Sequence, residues 1–358
     1  MNPTMIQREL TFAQAIKEAL TQAMVADSAV YVMGEGVPDP KGIFGTTLGL
    51  REKFGKERVL DMPLAENGMT GVAIGSALAG MRPVLVHQRV DFALLAMDQM
   101  VNNAAKWHYM FGGKASVPLV IRLVIGRGWG QGPQHSQSLQ AWFAHVPGLK
   151  VVMPTTPYDA KGLLIAAIED NNPVIFFEHR WLHQIFGPVP EEMYRVPLGQ
   201  ARKIREGQDV TIVSTSYMTL EALRAAELLS RDGIEAEIVD VRSLKPLDTE
   251  TILESVRKTG RLIAADAAWR TLGFASEILA IVAEEAYPFL KCSPKRIALP
   301  DVYAPSSPAI ANDYYPRAVD IVNAARTMMG LVVQTETELG ILRETPLDVP
   351  DKRFTGPF

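Results

Sequence analysis

The sequence predicts an α/β protein of two domains, each built on a parallel or mostly parallel sheet. Three observations carry that expectation: a length of 358 residues, short aliphatic runs alternating with longer segments of helical period, and a break rich in Pro, Gly and charge between residues 187 and 207. On these grounds residues 1–187 form the first domain, 188–207 a linker, 208–330 the second domain and 331–358 an extended tail.

Within the first domain, Val30–Met33, Val84–Val86, Leu119–Ile125, Val151–Met153 and Val174–Phe177 read as buried strands. Between them, Phe12–Met24 and Ala96–His108 place apolar residues at helical spacing, and Pro157 with Asp159 opens a helix to about Ile168. The segment Gly68–Gly80 is helical in pattern yet nearly without bulk (Gly68, Gly71, Ala73, Gly75, Ala77), which suits close approach to another helix or subunit. In the second domain Val210–Ser214, Ala236–Val241, Leu262–Ala265 and Arg296–Leu299 read as strands. Leu220–Ser230, Thr249–Thr259 and Gly273–Glu285 read as the helices between them, with Gly233 and Gly260 at expected helix C-caps.

Composition narrows the function. The chain has 36 Lys+Arg against 40 Asp+Glu, a formal net charge of −4, which disfavours a nucleic-acid surface or an anionic-membrane anchor. No apolar run approaches the roughly 18–20 residues that span a bilayer, and no signal-peptide pattern opens the chain, so a cytoplasmic location is expected. A single cysteine, Cys292, excludes an internal disulfide and a Cys-based zinc site. Any chemistry must therefore come from histidine, carboxylates or a cofactor.

Three segments are candidates. The glycine run Gly126–Gly132 follows a strand but fails the dinucleotide fingerprint, whose sixth position needs glycine at once before a helix; it reads as a loop over a pocket. Beyond it His135, in Pro133-Gln-His-Ser-Gln-Ser138, lies past the carboxyl end of a strand, where open α/β sheets bind ligands, although a lone histidine is more often structural. Glu66 lies between a strand end and the small-residue helix. It reads either as a helix cap or as a partly buried acid that shares a proton with a ligand nitrogen.

Several long motifs occur in order: Met62-Pro-Leu-Ala-Glu-Asn-Gly68, Asp98-Gln-Met-Val-Asn102, Gln134-His-Ser-Gln137, His145-Val-Pro-Gly-Leu-Lys-Val-Val152, Pro157-Tyr-Asp-Ala-Lys-Gly162 and Asp240-Val-Arg-Ser-Leu-Lys-Pro-Leu-Asp248. From about residue 7 to 328 the chain resembles the β subunit of thiamin diphosphate-dependent 2-oxo acid dehydrogenases, the pyruvate, branched-chain and acetoin enzymes. The resemblance implies a pyrimidine-binding domain followed by a transketolase C-terminal domain. It implies that Glu66 is the cofactor-activating acid, that Leu64, Gln88 and Phe92 hold the aminopyrimidine, and that His135 faces the substrate. It also implies a potassium site of carbonyl oxygens at Leu119, Ala167, Ile168, Asp170 and Asn172.

The chain has no Gly-Asp-Gly motif with the downstream Asn that holds Mg²⁺ and the diphosphate in thiamin enzymes. The resemblance therefore implies a separate α subunit that supplies the Mg²⁺ site, an α₂β₂ heterotetramer with β–β contact, and a lipoyl acyltransferase core as further partner. The implied activity is that of an oxidoreductase of the pyruvate dehydrogenase type, which decarboxylates a 2-oxo acid and passes the acyl unit to lipoyl. A thiamin-dependent carboligase and a chemically inert scaffold subunit are the alternatives.

Departures from the family cluster near the expected pocket. Val86 replaces a usual Glu, His87 and Arg89 replace apolar residues, Leu123–Trp129 with Arg127 replaces a loop rich in Gly and Pro, and Ala267 and Leu272 replace an acid and a glycine. The added positive charge suggests a more anionic substrate, or else a subunit interface.

Overall fold

The hydrophobic runs of the first half form one parallel sheet. In this computed structural model, which describes residues 8–126 and 130–341, its strands run from one edge to the other as Lys150–Val152, Val174–His179, Val120–Ile125, Arg82–His87, Val30–Gly34 and Val59–Leu60. The residues of Val30–Gly34, Val120–Ile125 and Val174–His179 are buried throughout, as expected for a sheet covered on both faces. Helix Phe12–Ala26 is started by a capping box between Thr11 and Gln14, and helix Pro157–Glu169 by Thr156, whose hydroxyl accepts from the Asp159 N–H. The expected helix Ala96–His108 is wound less regularly, as a 3₁₀ turn at Leu94–Ala96, a π-helical stretch at Gln99–Ala104 and an α-helix at Ala105–Met110.

The second sheet has the order Lys295–Leu299, Leu262–Trp269, Val210–Ser214, Ala236–Asp240, Arg202–Arg205, parallel except for the last strand. Helices Tyr217–Ser230, Thr249–Thr259 and Phe274–Glu285 connect its parallel strands, and Gly260 ends the second of them in the left-handed conformation. Helices Pro308–Tyr314 and Ala318–Met328 follow; the second buries Ile321, Val322 and Ala325. Among the described residues no helix is long and apolar enough to cross a membrane.

The structure divides the chain differently from the expected boundary. Among the described residues, one unit comprises 8–125 and 142–198, the other 126, 130–141 and 199–341. The 188–207 segment is no free linker, because its polar groups find partners on both sides of the division. The buried Lys161 ammonium donates to the carbonyls of Pro190 (2.7 Å) and Glu192 (2.9 Å) in the first unit, and Arg202–Arg205 is an edge strand of the second. The described part of the tail packs on the helix before it, where Arg326 Nε donates to the Val332 carbonyl (2.7 Å) and Leu339 is buried; residues 342–358 lie outside the described residues.

Buried histidines make this fold acid-sensitive. Burial pushes His87 down to about 4 and, with the nearby His183 and Arg89 charges, His179 down to about 3. An unfolded histidine takes up its proton near pH 6.5, so between that value and about 4 unfolding binds protons and acid favours the unfolded chain. His87 contributes about 3 kcal/mol to this loss. The melting temperature is expected to fall steadily from pH 6.5 to 4, and His87→Gln to flatten the slope; parallel curves for the two proteins would refute the assignment.

Candidate active site

A parallel sheet binds ligands outside the carboxyl ends of its strands, where the direction of winding reverses. In the first unit the chain goes from Val30–Gly34 to Val59–Leu60 on one side and then crosses to Arg82–His87 on the other. The reversal therefore lies between Gly34 and His87, and the residues that follow both strands meet there. Gln88 Nε2 donates to the Glu35 carbonyl at 3.0 Å, and the Gly36 N–H donates to Asp61 Oδ1 at 3.0 Å. Gly36 has φ +69°, and a Cβ there would stand 2.8 Å from Gln88 Nε2 and 2.9 Å from Asp39 Oδ2, so only glycine permits this approach. A cleft of about 300 Å³ opens beside it, lined by Gly36, the 39–44 segment and Gln88.

Glu66 is the first residue of helix Glu66–Leu78 and is only 5% exposed. Its carboxylate makes no capping bond and takes no hydrogen bond from any described residue. That disposes of the cap reading, since a capping carboxylate satisfies a first-turn N–H. Instead it adds to a group of acids: burial first, and then the charges of Glu66 and Asp61, push the Glu35 carboxyl upward, and Glu35 Oε1 is buried without a hydrogen-bond partner. Sequence reasoning missed Glu35 and Asp61. The available signal was an acid directly after each of two adjacent strands.

Leu64 and Phe92 stand open, at 82% and 38% exposure. Along the small-residue helix, Gly68 and Gly75 have nothing within 4 Å of where a Cβ would stand, while Gly71 faces the Gln99 side chain. The helix thus packs on its own unit at one face and leaves another bare. His135 belongs to the second unit, in the 3₁₀ turn Pro133–His135, and is partly exposed.

Residues 8–184 match the transketolase pyrimidine-binding domain and residues 199–321 the transketolase C-terminal domain. The chain is 47% identical over 332 residues to the β subunit of acetoin:2,6-dichlorophenolindophenol oxidoreductase of Cupriavidus necator, covering 90% of this chain and 98% of that one. The chain belongs to the transketolase-like family of pyruvate and acetoin dehydrogenase β subunits. It is 42% identical over 318 residues to the pyruvate dehydrogenase E1 β subunit of Rickettsia felis, covering 89% and 98%. A split-gene transketolase solved as an inactive β4 tetramer superposes with a TM-score of 0.72 at 26% identity, covering 90% of this chain and 99% of that chain.

This thiamin diphosphate-dependent family needs a holder for an aminopyrimidine, and the β-subunit residues present fit one. The carboxylate of Glu66, a residue only 5% exposed, the side-chain amide of Gln88 and the ring of Phe92, 38% exposed, match a flat, hydrogen-bonding heterocycle. At the residues implied for potassium, Arg82 Nη1 donates to the carbonyls of Ile168 (3.0 Å) and Asp170 (3.1 Å), and Leu119 O accepts from Val174 N (2.9 Å), so three of those carbonyl oxygens each take a hydrogen bond.

The family departures divide. His87 adds no charge at neutral pH, because it is buried beside Thr70 and held down to about 4. Arg89 is buried with its charge close to Arg180, whose guanidinium burial and Arg89 together push down to about 9. Arg127 lies outside the described residues.

Proposed function

We propose that this chain is the β half of a thiamin diphosphate-dependent 2-oxo acid dehydrogenase, which decarboxylates a pyruvate-like acid and passes the acyl unit to a lipoyl acceptor. The observation that carries the reading is Glu66, only 5% exposed as a residue, whose carboxylate takes no hydrogen bond from a described residue, at the strand-reversal edge of the first sheet. Thiamin diphosphate, when bound, would supply the nucleophilic carbon and the electron sink that decarboxylation of a 2-oxo acid needs. Glu66 serves that group by holding a proton between its carboxylate oxygen and the ring nitrogen. Gln88 hydrogen-bonds the same ring, Phe92 stacks on it, and Leu64 packs against it. His135 orients the oxo acid and moves a proton at its ring nitrogen.

An α subunit completes the site in an α₂β₂ assembly and holds the diphosphate with Mg²⁺. The exposed Leu64, Phe92, Val72 and Leu95, together with the bare glycines of the 66–78 helix, support a covered face on this side of the first unit. The test is to co-purify the chain with its α subunit and follow 2,6-dichlorophenolindophenol reduction with 2-oxo acids and with acetoin. Adding lipoyl acyltransferase, dihydrolipoyl dehydrogenase, CoA and NAD⁺ should then yield NADH. Dye-independent formation of acyloins with no NADH would replace this reading with the carboligase.

A further inference from the structure

We propose that Asp266 positions the segment bearing His135, through a buried bond to Gln140. This inference rests on the proposed role of His135.

In the second unit the strand winding also reverses, between Val210–Ser214 and Leu262–Trp269, so this is where an open sheet of this kind would bind a ligand. The crevice at those strand ends is lined by Thr215, Asp266 and Phe274 and is too narrow to admit a water molecule. Gln140 Nε2 donates to Asp266 Oδ1 at 2.7 Å, with both residues fully or almost fully buried (0% and 1% exposed). Asp266 stands where helix Phe274–Glu285 begins. Burial pushes its carboxyl upward, while the Gln140 bond and the N–H groups of Ala267, Phe274 and Ala268 favour the charged form.

A second fastening lies on the other side of His135. Gly132 has φ +76°, and a Cβ there would come within 2.6 Å of Ser306 Oγ, so the backbone is pressed against the 306 segment of the same unit. Ser136, Ser138 and Leu139 between the two fastenings are buried, while His135 keeps partial exposure. The loop is thus fixed at Gln140 to a residue that lines the crevice of the second unit, while Pro133 and Gln134 are exposed and His135 keeps partial exposure. Of the two fastenings, the Gln140–Asp266 bond is the one that side-chain chemistry can switch.

The test uses the α/β complex and three variants. Gln140→Glu sets a second carboxylate against Asp266 and breaks the bond. Asp266→Asn keeps an acceptor for Gln140, and the double variant restores a donor–acceptor pair with reversed polarity. Hydrogen exchange of the 133–141 amides should be about tenfold or more faster in Gln140→Glu. The kcat should fall by about 10- to 100-fold with cofactor half-saturation unchanged, as for a misplaced catalytic group. Asp266→Asn should resemble the native chain, and the double variant should recover both readouts. Native exchange in Gln140→Glu, or a double variant no better than it, overturns the clasp. Faster exchange with native kcat overturns its positioning role. A native complex without turnover refutes the proposed function instead, and the exchange pattern then still decides whether the clasp exists.

Discussion

Glu66→Gln is expected to lower turnover of the assembled enzyme by about 10²- to 10⁴-fold, the range lost when a positioned proton-transfer group is removed. The amide keeps the size and hydrogen-bonding reach of the carboxylate, so assembly and cofactor retention should persist; what it loses is the capacity to hold the shared proton. Stability provides an independent check. If Glu66 were a helix cap, its loss would cost about 1 kcal/mol. The structure predicts the opposite sign, because the carboxylate satisfies no N–H and instead raises Glu35 alongside Asp61. Removing one of these like charges should leave the chain as stable or slightly more stable, a trade of stability for function common at active sites. Calorimetry of the variant with steady-state kinetics decides it. Native turnover would favour the inert-scaffold reading, and a clear drop in melting temperature would restore the cap.

The sheet strands and most helices were legible because burial on both faces demands continuous apolar runs and helix ends demand specific residues: Pro157 with Asp159 announces a helix start and Gly260 a helix end from sequence alone. Glu66 was legible as a candidate for a similar reason, being an acid between a strand end and a helix of small residues. The edge strand Arg202–Arg205 was read as linker because an edge pairs on one side only and tolerates charge. The seating of residues 126–141 with the second unit left no local signal, since Gln140 meets Asp266 across 126 positions of chain. Arg122 within the run Val120–Ile125 did leave one: a cation in a buried strand requires a buried carboxylate.

That carboxylate is Glu178, and the pair defines the second large effect. Arg122 Nε and Nη2 donate to the two oxygens of Glu178 at 2.6 and 2.9 Å, Nη2 also reaches Thr46 Oγ1 at 2.8 Å, and His183 Nε2 lies 3.1 Å from Glu178 Oε2, with Arg122, Glu178 and His183 fully buried. Burial raises the Glu178 carboxyl, but the Arg122 charge and the bonds from His183 and Arg122 outweigh it and hold it down to about 2. Arg122→Met removes the compensation and leaves a buried charge, which costs about 3–5 kcal/mol. Against a total stability of roughly 5–15 kcal/mol, that should lower the melting temperature by about 10 °C or more. Adding Glu178→Gln should recover part of the loss, because a neutral amide needs no counter-charge. The sign with pH is also set: the native pair stabilises fully above the ordinary carboxyl value and loses that stabilisation as pH falls towards about 2, so the penalty of Arg122→Met should shrink in acid. The damage should reach the cleft as well. Thr46 lies two residues beyond the 39–44 segment that lines it, and Phe44 stacks on His183 at 5.3 Å with Arg180 4.0 Å from its ring. Weaker cofactor retention at temperatures where Arg122→Met is still folded would show that the ion pair supports the cleft; a variant as heat-stable as the native chain would show that the buried charge is compensated elsewhere.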